Sequence, residues 1–104
     1  MNLLKHLQKQ QEWSRETFGP GLNTKRNRDH IEKELDEIEK KPLDIEERID
    51  LIILAFDGAL RLASPIQVVG ALMLKTAKNM KRTWPDWRTA DPDKAIEHVR
   101  GEHD

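Results

Sequence analysis

The chain contains no cysteine and no tyrosine. Without cysteine there are no disulfides and no thiolate-held metal sites, which suits a reducing compartment. Valine is scarce and no stretch alternates apolar with polar residues, so sheet is disfavoured. There is no Gly-rich loop and no internal repeat. No segment reaches the ~20 apolar residues of a membrane span. The opening MNLLKHLQKQQEW has no long apolar run, so no signal peptide is expected. The net charge of −1 leaves no global pull toward nucleic acid or an acidic membrane. What remains is a 104-residue chain rich in Leu, Ile, Glu, Lys and Arg. We expect one domain, 1–104, cytoplasmic and all-α.

Start and stop signals divide it into four to five helices. The first spans about 2–18, with Leu3, Leu4, Leu7, Trp13 and Phe18 as apolar candidates, and is stopped by FGPG. The basic LNTKRNR reads as a connector, and a second helix runs from Asp29 to Lys40, before Pro42. Asp44 is a good N-cap for a third helix to about Ala63, with Glu47 in the capping-box position. Ser64-Pro65 starts a fourth to about Arg82, which WPDWR breaks. Asp91-Pro92 is expected to open a short last helix to about Val99. Such helices with short connections make a bundle.

The third helix holds a contradiction. In ERIDLIILAFDGALR (47–61), carboxylates are threaded through the most apolar segment of the chain. At ~100° per residue, Glu47, Asp50, Leu54, Asp57 and Arg61 share an arc of roughly 80°. Most of the remaining surface is apolar, which predicts a central position in the bundle. On the second helix His30, Glu34, Glu37 and Lys41 form a strip beside the apolar Ile31, Leu35 and Ile38. The link between the two helices is short, so they should pack antiparallel, with Glu34/Glu37 facing Glu47/Asp50. Carboxylates converging in this way either rise in pKa or take up a cation. An all-oxygen ligand set suits a hard divalent ion, Mg²⁺ first, with Mn²⁺ able to substitute. The competing reading makes Glu47 a cap, Asp50 a solvated first-turn charge, and Asp57 the i,i+4 partner of Arg61.

KELDE (33–37) and ERID (47–50) resemble the E-E-x-x-E and E-x-x-D elements of the MazG-like, all-α nucleoside triphosphate pyrophosphohydrolases. Lys33 departs from that pattern, standing where the first acidic residue often lies. The ordered series QQEWSRETFGPG, HIEKELDEIEKKPLDIEERIDLIILAFDGALR, KNMKRTWPDWR and AIEHVR is similar to the phage and bacterial dATP/dGTP diphosphohydrolases, of which the MazZ group is one branch. The resemblance implies Mg²⁺-dependent cleavage of a purine (deoxy)nucleoside triphosphate to monophosphate and pyrophosphate, adjusting the nucleotide pool for phage DNA synthesis. It implies Glu34, Glu37, Glu47 and Asp50 as metal ligands and catalytic residues. It also implies Asp57 and Arg61 as substrate-binding residues, Asp57 holding a further water or orienting Arg61 or Lys75, and the Arg61 charge facing a phosphate.

Lys75, Lys78, Asn79 and Arg82 lie at i, i+3, i+4 and i+7 on the fourth helix. Periodicity alone reads them as an exposed face. The resemblance makes Lys75, Asn79 and Arg82 triphosphate contacts, where charge grows on the leaving pyrophosphate. Trp13 is expected in the core, and Trp84 or Trp87 against the base. The resemblance and the surplus apolar surface imply a homodimer or homotetramer. The rival reading is a non-catalytic helical interaction module whose acidic and basic stripes interlock.

Overall fold

The computed structural model describes residues 2–101. It contains helices α1 (Leu3–Phe18), α2 (Thr24–Lys40), α3 (Ile45–Leu60) and α4 (Pro65–Lys81), and one 3₁₀ turn, Trp87–Thr89. The described residues contain no strand, so the chain is all-α, as composition predicts. By contacts it divides into two compact units, Met1–Val69 and Gly70–Asp104.

Local chemistry explains most boundaries. The Asn2 side chain accepts from the Lys5 N–H at 2.9 Å and caps α1. That helix ends where Gly19 takes φ +84°, a backbone state that residues with a Cβ seldom adopt. Asp44 caps α3 by accepting from the Glu46 N–H at 3.0 Å. Its own N–H goes to the Lys41 carbonyl, so Glu47 is not reciprocating in a capping box. α4 has one instead. Ser64 N–H donates to Gln67 Oε1 at 2.9 Å, Gln67 N–H returns to Ser64 Oγ at 3.3 Å, and Pro65 occupies the first helical position.

Three expectations change. α2 begins at Thr24, five residues before Asp29, so most of the basic stretch is helical. Lys and Arg are good helix formers, and Asn27 and Arg26 there tie the helix down by donating to the carbonyls of Leu54 and Phe18. α3 stops at Leu60 and not Ala63. Residues 91–99 form no helix. The Asp91 side chain accepts from the Asp93 N–H in a local turn, and Val99 N–H reaches back to the Thr83 carbonyl at 2.7 Å. A segment that short has few helical bonds to offset its nucleation cost, and the competing turn wins.

In the first unit α2 and α3 form a hairpin and α1 packs on α3. The approach of α2 to α3 is close at Gly58, where a Cβ would lie 3.1 Å from Asn27 Oδ1. Leu7, Leu60 and Val68 form the buried core, flanked by Phe56, Ala59, Ala63 and Val69. The buried stripe of α1 is Leu7, Gln10 and Ser14, only one of which is apolar. Its amides grip the α3 backbone. Gln10 donates to the Ile53 carbonyl and Gln11 to that of Leu60, both at 2.8 Å.

α3 is not enclosed within this chain. Leu60 is its one buried residue, and Ile45, Ile49 and Ile52 form a stripe 43–71% exposed. Among the described residues α1 and α2 pack along it, and Val68 of α4 meets its last residue, Leu60. On α4 Ile66, Met73, Leu74 and Met80 are also exposed. In the second unit Arg82 Nη1 donates to Asn79 Oδ1 at 2.7 Å, and the Trp84 indole N–H donates to the Asn79 carbonyl at 2.8 Å. Trp84 meets His98 edge-to-face at 5.7 Å. No single described helix is long and apolar enough to cross a membrane.

Candidate active site

The hairpin brings acidic side chains together because i,i+3 spacing puts Glu34 and Glu37 on one face of α2, and Glu47 and Asp50 on one face of α3. Glu34, Glu47 and Asp50 each offer a carboxylate oxygen, and these oxygens all lie within 4.8 Å of one another. Glu37 stands outside this trio, half-buried and 3.7 Å from Lys40 Nζ. Lys33, at the departing position, turns instead to Asp29 at 3.2 Å.

The trio is electrostatically unfinished. A hydrogen bond with Glu47 pushes the Glu34 carboxyl up to about 7, helped by burial and by the charges of Glu47, Asp50 and Glu37. One oxygen, Glu34 Oε1, is shut off from solvent and has no hydrogen-bond partner. A buried acceptor with nothing to accept from is costly unless a proton or a cation meets it. The donor set, all carboxylate oxygen, fits a hard divalent ion. This acidic cluster could bind a metal ion.

Glu34 and Asp50 also line a cavity of about 370 Å³ in the first unit, large enough for a small ligand. Its walls include Trp13, Phe18, Asn27 and His30. The three rings run edge-to-face. Trp13 and Phe18 have centroids 5.6 Å apart, and Phe18 and His30 5.7 Å. Trp13 is 52% exposed, so it is a wall of the cavity and not the core residue expected from sequence. The cavity lining therefore combines carboxylates with aromatic rings.

Asp57 and Arg61 border the same cavity and make the expected i,i+4 pair, Arg61 Nε to Asp57 Oδ2 at 3.3 Å. Both are largely enclosed. Ser14 Oγ donates to Asp57 Oδ1 and accepts from Arg61 Nη2. Lys75, Asn79, Arg82 and Trp84 belong to the second unit and are not among the residues lining this cavity. Of the cavity lining, sequence reasoning assigns no site role to Gln10, Ser14 and Asn27, reads Phe18 as an apolar helix residue, sets His30 on the acidic strip of α2, and misplaces Trp13 in the core. The available signal was the polar pair Gln10 and Ser14 at helical spacing from Leu7, which marks a buried face meeting polar groups.

A family model for the dATP/dGTP pyrophosphohydrolases matches residues 6–102. The chain belongs to the dATP/dGTP pyrophosphohydrolase family. The match crosses both units and contains every acidic residue of the cluster and the whole cavity wall. The all-helical architecture is consistent with a MazG-like fold. No curated protein and no solved structure is detectably similar. Family membership makes a nucleotide the expected substrate and hydrolysis the expected chemistry.

Proposed function

We propose that this protein hydrolyses dATP or dGTP to the monophosphate and pyrophosphate with Mg²⁺, residues 1–104 acting as one functional domain. The observation that carries the reading is the partnerless Glu34 oxygen inside the Glu34, Glu47 and Asp50 trio, at the edge of a cavity with aromatic walls. A triphosphate bound to an ion suits the acidic end, and a purine suits Trp13, Phe18 and His30, because every base has a π-face to lay on a ring.

Glu34, Glu47 and Asp50 would hold the ion, with Glu37 one turn from Glu34 as a further ligand. Mg²⁺ bound there supplies neutralising charge for the polyphosphate and lowers the pKa of water. Hydrolysis forms one bond from water oxygen to phosphorus and breaks the bridging P–O bond. A carboxylate of the set takes the water proton, and the bridging oxygen leaves on pyrophosphate. The cations Lys75 and Arg82, with Asn79 and Trp84, form a separate arm of the proposal, since positive charge stabilises the departing pyrophosphate. Lys75→Met tests that arm by its effect on kcat.

The exposed stripe of Ile45, Ile49 and Ile52 supports a homodimer or homotetramer, because an apolar helix face of this extent is stabilised by cover. The biological role we propose is control of the purine deoxynucleotide pool for phage DNA synthesis in the host cytoplasm. It rests on the resemblance of the whole ordered motif series.

The test is incubation with each of the eight common NTPs and dNTPs and Mg²⁺, following pyrophosphate. Release is expected with purine deoxynucleotides and is lost in Glu37→Gln and Asp50→Asn while helical circular dichroism persists. No release from any of the eight would leave the non-catalytic helical module as the better account.

A further inference from the structure

The turn between α1 and α2 is held from outside by side chains. Gly19 and Gly21 have φ of +84° and +92°, so this backbone depends on residues without a Cβ. The carbonyls of the turn accept from Asn23 within it, from Arg26 of α2, and from Arg61 at the end of α3. Phe18 O accepts from Arg26 Nη1 at 2.7 Å and from Asn23 Nδ2 at 3.1 Å. Gly19 O and Gly21 O both accept from Arg61 Nη1, each at 2.9 Å.

Arg61 arrives from the end of α3, some forty residues away in sequence, and its side chain is only 2% exposed. Its remaining contacts are with Asp57 and with Ser14 Oγ at 2.9 Å. Four N–H groups thus have protein acceptors, and the charge is balanced by Asp57. A guanidinium so engaged has little left to offer a phosphate. It does fix two carbonyls of the turn that carries Phe18, the middle ring of the aromatic wall.

We propose that Arg61 is a positioning residue: it clamps the Gly19–Gly21 turn and thereby sets the Phe18 wall against which the base lies. This rests on the reading above that the cavity takes a purine nucleotide. Asp57 and Ser14 act through the same device, orienting the guanidinium without touching substrate. Lysine cannot replace it, because an ammonium on a single nitrogen cannot span Asp57, Ser14 and two carbonyls in one plane.

The test uses Arg61→Lys, Gly21→Ala and the double variant in the full chain, each first shown to be folded by thermal denaturation. For a purine dNTP with Mg²⁺, Arg61→Lys is expected to raise KM about tenfold and leave kcat within about twofold, the signature of lost uniform binding. Gly21→Ala moves KM the same way. The double variant is no worse than the worse single one, because both act on one turn. Amide hydrogen exchange across residues 18–23 accelerates in Arg61→Lys. A fall in kcat at constant KM, multiplicative effects in the double variant, or unchanged exchange would each overturn the proposal. Wild-type protein that hydrolyses no nucleotide would refute the proposed function instead. Exchange, together with dAMP and dGMP binding in EDTA, would then decide the role of Arg61 without turnover.

Discussion

Binding of Mg²⁺ should expel a proton, and the amount is set by Glu34. Its carboxyl titrates at about 7 rather than 4.5, chiefly because it shares a hydrogen bond with Glu47. With that midpoint, the group is about 90% protonated at pH 6, about half at pH 7 and about 10% at pH 8. An ion that requires the carboxylate therefore releases about 0.9, 0.5 and 0.1 protons at those three pH values. Apparent Mg²⁺ affinity accordingly rises up to about tenfold per pH unit below 7 and flattens above it. Isothermal titration in two buffers of different ionisation enthalpy reads the proton count directly. The stability of the metal-free protein has the matching sign. Between the unfolded value of 4.5 and the folded value of about 7 the native state binds more protons than the unfolded chain. Stability therefore falls as pH rises through that window. The metal-free Tm drops from pH 5 to pH 8, and Mg²⁺ raises Tm most at pH 8. Glu34→Gln removes this group's contribution to the pH dependence of both quantities. Proton release that is zero at pH 6, or that survives Glu34→Gln unchanged, would refute the placement of the ion.

Other consequences are simpler to check. Leu7 is fully buried at the centre of the core, so Leu7→Ala should cost about 2–5 kcal/mol in urea denaturation. Ile49 lies in the exposed stripe of α3, so Ile49→Asp should shift the protein toward monomer in light scattering coupled to gel filtration, with helix content retained. Trp13→Ala removes a wall of the cavity and should raise KM for a purine dNTP by about tenfold or more, at ~1–3 kcal/mol per stacked base. Inhibition by pyrophosphate, which has no base, should be unchanged.

What could be read from sequence was local. Asp44 and Ser64-Pro65 announce helix starts through side chains that bond within three residues, and the i,i+3 spacing of Glu34/Glu37 and Glu47/Asp50 fixes which face of each helix is acidic. The short link between α2 and α3 then leaves few ways to pack them, which is why the carboxylate trio was within reach. The start of α2 was not, because Arg26 and Asn27 look like a solvated basic connector until their partners, the Phe18 and Leu54 carbonyls, are known. The last segment was misread for the opposite reason: Asp91-Pro92 is a genuine start signal, but its side chain serves a turn and Val99 bonds to Thr83.

The cavity lies beyond local reading, since it is built from three helices and one turn. Trp13 is apolar and sits on a helix, so composition alone sends it to the core. Its real place follows from the stripe Leu7, Gln10 and Ser14 taking the buried face, which leaves Trp13 on the flank beside Phe18 and His30. Arg61 shows the deeper limit. Sequence pairs it correctly with Asp57, and charge then suggests a phosphate as its other partner. The atoms it holds are backbone carbonyls of two glycines, and a carbonyl leaves no mark in the residue type that carries it. A buried arginine beside a cavity is therefore ambiguous until its acceptors are counted. Here Asp57, Ser14 and the glycine turn account for four of its five N–H groups, which makes structural tethering the stronger reading of its charge.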